Sequence, residues 1–307
     1  MAESYGLPYA GSKSRIAHWV IDHLPRGRVL IDAFAGGCAI IHRALLSQKW
    51  ETIIANDING KYPQLFADAI HGKYRDEKRW ISHEDFERLK SKDAFVACCW
   101  SFGNNSRSYM YSPAIEPYKR ALHYAIVFDD FAPMQELMPE VAQAVHDAIQ
   151  GQNDLHDRRV TAQKVIVKTL KRLTDDNFAH PIIRHARLQS LESLERMQSL
   201  QRLESLERLQ VASLSYDEID IPDGAVVYCD PPYHACDKTL YGGTAKAFDH
   251  NAFYDWCVSV SKTNPIFISE YSIEDDRFEI VAEKQKMTSM ASVKAFNVTE
   301  RLYTVKK

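Results

Sequence analysis

The sharpest chemical signal in the chain is Asp230-Pro231-Pro232-Tyr233. It follows Ala225-Val226-Val227-Tyr228-Cys229, an apolar run that reads as a buried strand. In open α/β sheets, ligands bind beyond the carboxyl ends of such strands. Two successive prolines stiffen the loop and leave carbonyls without competing local donors. An acid, a fixed carbonyl and an aromatic face together suit a planar ring bearing an NH2 group. The carboxylate and the carbonyl accept its two hydrogens, and the tyrosine stacks on the ring. The plainer alternative is a proline-rich turn after a core strand.

Three further groups could do chemistry. Asp32-Ala33-Phe34-Ala35-Gly36-Gly37 follows a strand and opens a helix, where glycines let backbone approach a ligand closely. It is not a G-x-G-x-x-G. Asp57 ends a second strand, where an acid commonly accepts ribose hydroxyls, although a helix cap would serve as well. Tyr9-Ala10-Gly11-Ser12-Lys13 is a loop carrying an aromatic and a cation.

The elements that must hold these groups read as α/β at both ends of the chain. Residues 15–24 and 39–47 suit helices. Residues 28–33 and 51–56 suit buried parallel strands, so the first third makes a βαβ unit. In the last third, 225–229 and 265–269 suit strands, 253–261 a helix, and 278–282 and 301–305 closing strands. The middle, 71–187, is polar and helix-rich. There 134–150 reads as one amphipathic helix, 151–157 as a loop, and 100–113 is rich in turn residues. Residues 151–187 carry eight Lys/Arg against four acids, a local excess that is ordinarily a solvated face.

Residues 187–210 form an internal repeat with an apolar residue at every third position, from Leu188 to Leu209. An α-helix would let that stripe drift by about 60° per step, whereas a 3₁₀-helix keeps it on one edge. Long 3₁₀ runs are uncommon, and Leu, Gln, Glu and Arg favour α. Both geometries stay open, as does a passive spacer.

The motif series Tyr9–Lys13, Ile31–Gly37, Ala55-Asn56-Asp57-Ile58 and Asp230–Tyr233 resembles, in that order, the Dam-like DNA adenine-N6 methyltransferases, phage members included. The long insert before the last motif is similar to the group that places target recognition mid-chain. Ile268-Ser269-Glu270-Tyr271 departs from the Ser-Asn-His of many relatives. The resemblance implies an α/β, doubly wound, mostly parallel Rossmann-like sheet. Residues 1–71 and 188–307 would form the methyltransferase domain, 72–187 a helical target-recognition insert, and 187–210 the triplet segment.

The implied cofactor is S-adenosylmethionine. Tyr9 and Lys13 would contact it from the N-terminal loop, Phe34, Gly36 and the backbone nearby would hold its methionine portion, and Asp32 would belong to the same cofactor site. Asp57 would bind the ribose and Ile58 the adenine, with Tyr216 packed on that adenine and Asp230 beside the donor. Asp230 and the Pro231 carbonyl, within the rigid Pro231-Pro232 loop, would grip the N6 amine of a flipped adenine, and Tyr233 would stack on it. Asn104, Asn105, Ser106 and Arg107 would read bases, since Arg suits guanine and Asn suits adenine. Lys119, Arg120, Arg158, Arg159, Lys171 and Arg172 would contact phosphates.

Composition narrows the classes. The 307 residues are 45% hydrophobic and 26% charged, which is ordinary globular usage, and no apolar run approaches the roughly 20 residues of a membrane helix. The first six residues lack the basic start and apolar stretch of a signal peptide, and none of the six cysteines forms a C-x-x-C pair. A reduced, cytoplasmic protein without a metal site is expected, as a monomer or weak homodimer with duplex DNA as its partner. A net charge of −3 argues against coating nucleic acid by bulk charge but leaves room for a local cleft. The competing readings are methylation of an RNA adenine or a protein amide, an inactive DNA-binding decoy or scaffold, and a nicotinamide dehydrogenase. The last lacks its glycine motif.

Overall fold

The protein is described by a computed structural model covering residues 4–173, 187–200, 203, 206–233, 248–288 and 296–307. It divides into two compact units. The first comprises the segment ending at Leu7, Gly11–Ile70 and Leu203–Lys307; the second comprises Pro8–Ala10 and His71–Arg202.

The first unit is a seven-stranded sheet in the order β3-β2-β1-β4-β5-β7-β6. Its strands are β1 Val29–Asp32, β2 Thr52–Asn56, β3 Leu209–Ala212, β4 Val226–Cys229, β5 Ile266–Glu270, β6 Phe278–Thr288 and β7 Phe296–Val305. β1 to β5 pair in parallel, while β7 runs antiparallel to both β5 and β6. Every residue of β4 is buried, as a central parallel strand covered on both faces requires. Strand order reverses between β1 and β4, so the loops leaving them flank the crevice where such sheets take ligands. The helices are α1 Ala17–His23, α2 Ala39–Ser47, α3 Lys61–Ile70 and, counting along the chain past the second unit, α11 His250–Val260. The side chains of Phe253 and Cys257 from α11 pack with Val227, Cys229, Ile266 and Ile268 of β4 and β5 into one core.

The second unit is helical among its described residues. It contains α4 His83–Leu89, α5 Ala94–Cys99, α6 Glu116–Phe128, α7 Ala132–Leu137, α8 Pro139–Ile149, α9 Leu155–Leu173 and α10 Gln189–Ser199. The single helix expected over 134–150 is two. Met138 stands at φ −148°, ψ 59° because the ring of Pro139 excludes the helical region for the residue before it. The expected loop at 151–157 is shorter, since α9 opens at Leu155.

The repeat does not form a long 3₁₀-helix. Gln189–Ser199 is α-helical, Leu206–Arg208 is one 3₁₀ turn, and Leu209–Ala212 is strand β3; residues 201–202 and 204–205 lie outside the described residues. The α-helix absorbs the drift of its leucine stripe by burying serines beside it. Ser190 and Ser193 are buried along with Leu191, Leu194 and Met197. The Ser190 hydroxyl meets that of Tyr111 at 2.9 Å. Leu209 and Val211 instead serve β3, a strand that the triplet pattern hid.

Candidate active site

The carboxyl ends of β1, β2 and β4 carry the acids that the sequence singled out. Asp32 closes β1 and is 1% exposed. Its Oδ1 accepts the Phe34 N–H, while burial and then the neighbouring Asp230 push its carboxyl well above the usual range, favouring the neutral form. The glycine loop is pinned from both sides. Ala33 N–H donates to the Tyr228 carbonyl of β4, and Ala35 N–H to the Asn56 carbonyl of β2. Gly36, at φ 44°, donates its N–H to Asp57 Oδ2 at 2.9 Å, and Asp57 Oδ1 accepts from Asn59 N–H at 2.8 Å. Partial burial raises the Asp57 pKa.

Beside Asp57, Ile58 is 78% exposed, an unusual place for a large apolar side chain. Phe34 and Tyr216 stack with ring centroids 5.7 Å apart, and Phe248, Phe253 and Trp256 surround Tyr216. Two residues that sequence reasoning assigned to one ligand therefore lie together, although 182 positions of chain numbering separate Phe34 from Tyr216.

Asp230 leaves β4 half-buried and forms an ion pair with Lys13 Nζ at 2.7 Å. The same ammonium donates to the Tyr233 hydroxyl at 2.5 Å, lies 4.3 Å from that ring's centroid, and stands 3.5 Å from Glu300 Oε1 on β7. The Tyr233 hydroxyl in turn donates to Glu300. Burial opposes a charge on Lys13, but Asp230 and Glu300 outweigh it and hold the ammonium above lysine's ordinary range. Burial, reinforced by Asp230 and Glu300, keeps Tyr233 a neutral phenol. The edge of Tyr271 meets the Tyr233 ring at 4.5 Å, in a near-perpendicular contact. His250, at the start of α11, contacts the Pro232 carbonyl through Nε2 at 2.9 Å.

Sequence reasoning placed Lys13 on the cofactor; in this structure its partners are Asp230, Tyr233 and Glu300. It gave no role to Glu300, His250, Asn56 or Gly6. Asn56 is fully buried and staples three loop ends, donating to the Ala33 and Leu214 carbonyls and accepting from Leu214 N–H. Gly6 sits at φ 72°, and a Cβ there would fall 2.4 Å from the Gly37 carbonyl oxygen, so only glycine lets this strand of chain lie on the glycine loop. Asn56 was visible inside the Ala-Asn-Asp-Ile word. Gly6 and Glu300 carried no pattern.

Tyr9 is half-buried and belongs to the second unit, as do the base-reading candidates. A bridge between Ser101 and Tyr109 closes their loop. Asn105 and Arg107 are exposed, and Asn105 Oδ1 accepts the Arg107 and Ser108 N–H groups. Ser106, at φ 61°, donates its N–H to Ser101 Oγ. Asn104 is committed inward, donating from Nδ2 to the Cys98 carbonyl and to Ser193 Oγ of the repeat helix.

Three of the expected phosphate contacts are structural instead. Lys119 is 1% exposed, donates to the Arg187 carbonyl, and burial lowers its pKa to about 8. Arg158 closes the end of α6, donating to the Ala125 and Ile126 carbonyls and to Asp129. It also donates to the Gln152 carbonyl. Arg159 is paired with Glu195 and Glu192 of α10. A guanidinium so surrounded cannot reach a phosphate without leaving buried acceptors unmet. Arg120 is exposed. The side chains of Lys171 and Arg172 lie outside the described residues.

A doubly wound sheet with acids and a glycine loop at its reversal point defines an α/β enzyme with a Rossmann-like methyltransferase fold. Residues 9–135 match the family model described as D12 class N6 adenine-specific DNA methyltransferase. No curated protein matches the chain. The match ends well before Asp230. The activity is DNA adenine-N6 methylation, with S-adenosylmethionine as the methyl donor and DNA as the partner. The residues fit the donor. A half-buried carboxylate, Asp57, stands beside exposed Ile58 for a nucleoside, and the Asp230 carboxylate at the end of β4 suits a sulfonium. Among the described residues, no helix is long and apolar enough to cross a membrane.

Proposed function

We propose that the chain is a Dam-like, site-specific methyltransferase of the phage or restriction–modification kind. It acts in the cytoplasm, as a monomer or weak homodimer, on an adenine flipped out of duplex DNA. The observation that carries this reading is Asp230, held at the end of β4 beside the β1 glycine loop, with Tyr233 and two prolines fixed behind it. Asp57 would bind the donor's ribose hydroxyls, Ile58 and Tyr216 its adenine, and Phe34, Gly36 and the nearby backbone its methionine portion.

The donor supplies an electrophilic methyl group. Adenine N6 is a poor nucleophile because its lone pair is delocalised into the ring. Asp230 and the Pro231 carbonyl would accept the two N6 hydrogens, favour a pyramidal nitrogen and free that lone pair. Positioning then supplies much of the rate. Extruding the base costs a few kcal/mol of stacking. Stacking against Tyr233 would return about 1–3 kcal/mol.

The test is methyl transfer from labelled S-adenosylmethionine to duplex DNA, RNA or protein. Label recovered as N6-methyladenine in duplex DNA supports the reading, whereas label confined to RNA or to protein amides overturns it. Sequencing DNA from expressing cells for N6-methyladenine would give the recognition site.

A further inference from the structure

The acid that the sequence left without a role is Glu300. It is fully buried on β7, on the same face as Leu302, two residues on and also 0% exposed. A carboxylate is almost never buried so completely unless it is paired. Here its partners are the Tyr233 hydroxyl, which donates to it, and the Lys13 ammonium at 3.5 Å.

Those same two groups belong to the corner that holds Asp230. Lys13 already gives Asp230 a hydrogen bond at 2.7 Å. The Tyr233 phenol has one proton and spends it on Glu300, while its oxygen accepts from Lys13. Were Glu300 neutral or absent, the ammonium's full charge would fall on Asp230, and the phenol proton would need another acceptor. We propose that Glu300 is a positioning residue for methyl transfer: it accepts the Tyr233 proton and shares the Lys13 charge with Asp230, fixing the Tyr233 ring and the ammonium at the corner where Asp230 leaves β4.

The proposal rests on the functional reading above, so its test has one arm that needs the reaction and one that does not. In single-turnover methylation of duplex DNA, Glu300→Ala should slow the chemical step about 100-fold, and Glu300→Gln about tenfold, because the amide oxygen still accepts from Tyr233. KM for donor and DNA should stay within about threefold, and adding Glu300→Ala to Tyr233→Phe should cost far less than it does alone. A wild-type rate for Glu300→Gln, or a loss confined to KM, would overturn the proposal. The second arm is urea unfolding. Asp230→Asn should lower the midpoint more in the Glu300→Gln background than in the parent chain, because there Asp230 is the one carboxylate left to Lys13 among the described residues. An equal shift in both backgrounds overturns the proposal even if the parent chain methylates no DNA, a result that would itself defeat only the functional reading.

Discussion

The two units bury charge on opposite terms. In the sheet unit the buried ionisable groups are acids, Asp32, Glu270 and Glu300, with Lys13 among Asp230, Glu300 and Tyr233 at the edge of a crevice. In the helical unit they are the cations Lys119, Arg158 and Arg159, each bonded to carbonyls or glutamates, beside His123, which burial keeps neutral. The helical cations fasten elements together. At the sheet's edge Asp32 neighbours the half-buried Asp230 carboxylate, and Glu300 shares Lys13 with it. Residue type alone does not separate the two cases, because a basic run in a DNA-modifying chain invites the phosphate reading. Accessibility and the identity of the partner separate them.

The comparison can be broken at its strongest point. Asp230→Ala should abolish methyl transfer, a loss of at least about 10³-fold, while donor binding stays measurable by calorimetry. A variant with parental turnover would mean that the acid cluster is structural, like the cations of the other unit. Next in size, Arg158→Ala should lower unfolding stability by about 1–3 kcal/mol, since it leaves the buried Ala125 and Ile126 carbonyls without their donor. The folded fraction should still bind DNA with an unchanged salt slope. A large change in salt slope with unchanged stability would restore Arg158 to the interface.

Lys119 gives a pH test of the same contrast. Burial lowers its pKa from 10.5 to about 8, so between these values the unfolded chain binds the proton and the folded chain does not. Its contribution to stability therefore improves as pH rises from about 8 to 10.5, by at most about 3 kcal/mol. Below pH 8 the burial penalty is constant. Lys119→Met should raise the melting temperature most at pH 7, and the gain should shrink toward pH 10. A gain independent of pH would show that Lys119 is not buried as a charge.

Much of the sheet was legible because buried parallel strands are short apolar runs. β1, β2, β4 and β5 follow that rule to within a residue or two. β6 and β7 did not show their full length, because residues such as Glu279, Glu283, Lys284, Glu300 and Arg301 interrupt the apolar signal that a two-stranded edge does not need. β3 was masked by the leucine triplets. The break at Met138 was written in Pro139 and overlooked in favour of the longer periodicity. In the site, the residues that carry words (Asp230, Asp57, Gly36) lie together at the carboxyl ends of the strands, as their place in the sequence implies. Those that act through distant contacts, Glu300 and Gly6, were not legible, since a lone acid or glycine has no local period.

The smallest effects test whether the exposed cations of the helical unit differ from its buried ones. Arg107 is exposed beyond a loop whose backbone is fixed by Asn105 and Ser101 and whose Arg107 carbonyl accepts from Lys90. Its guanidinium is thus carried on a rigid base, as reading a guanine edge requires. Arg107→Ala should relax preference at one base pair by about 1–3 kcal/mol, measured as competition between methylation of cognate and single-mismatch duplexes. Arg120 is exposed on a helix, where a phosphate contact carries no sequence information. Arg120→Ala should weaken all duplexes alike and reduce the salt slope by about 1. If Arg107→Ala also weakens every duplex equally, the loop only anchors the backbone, and base reading must come from elsewhere in the chain.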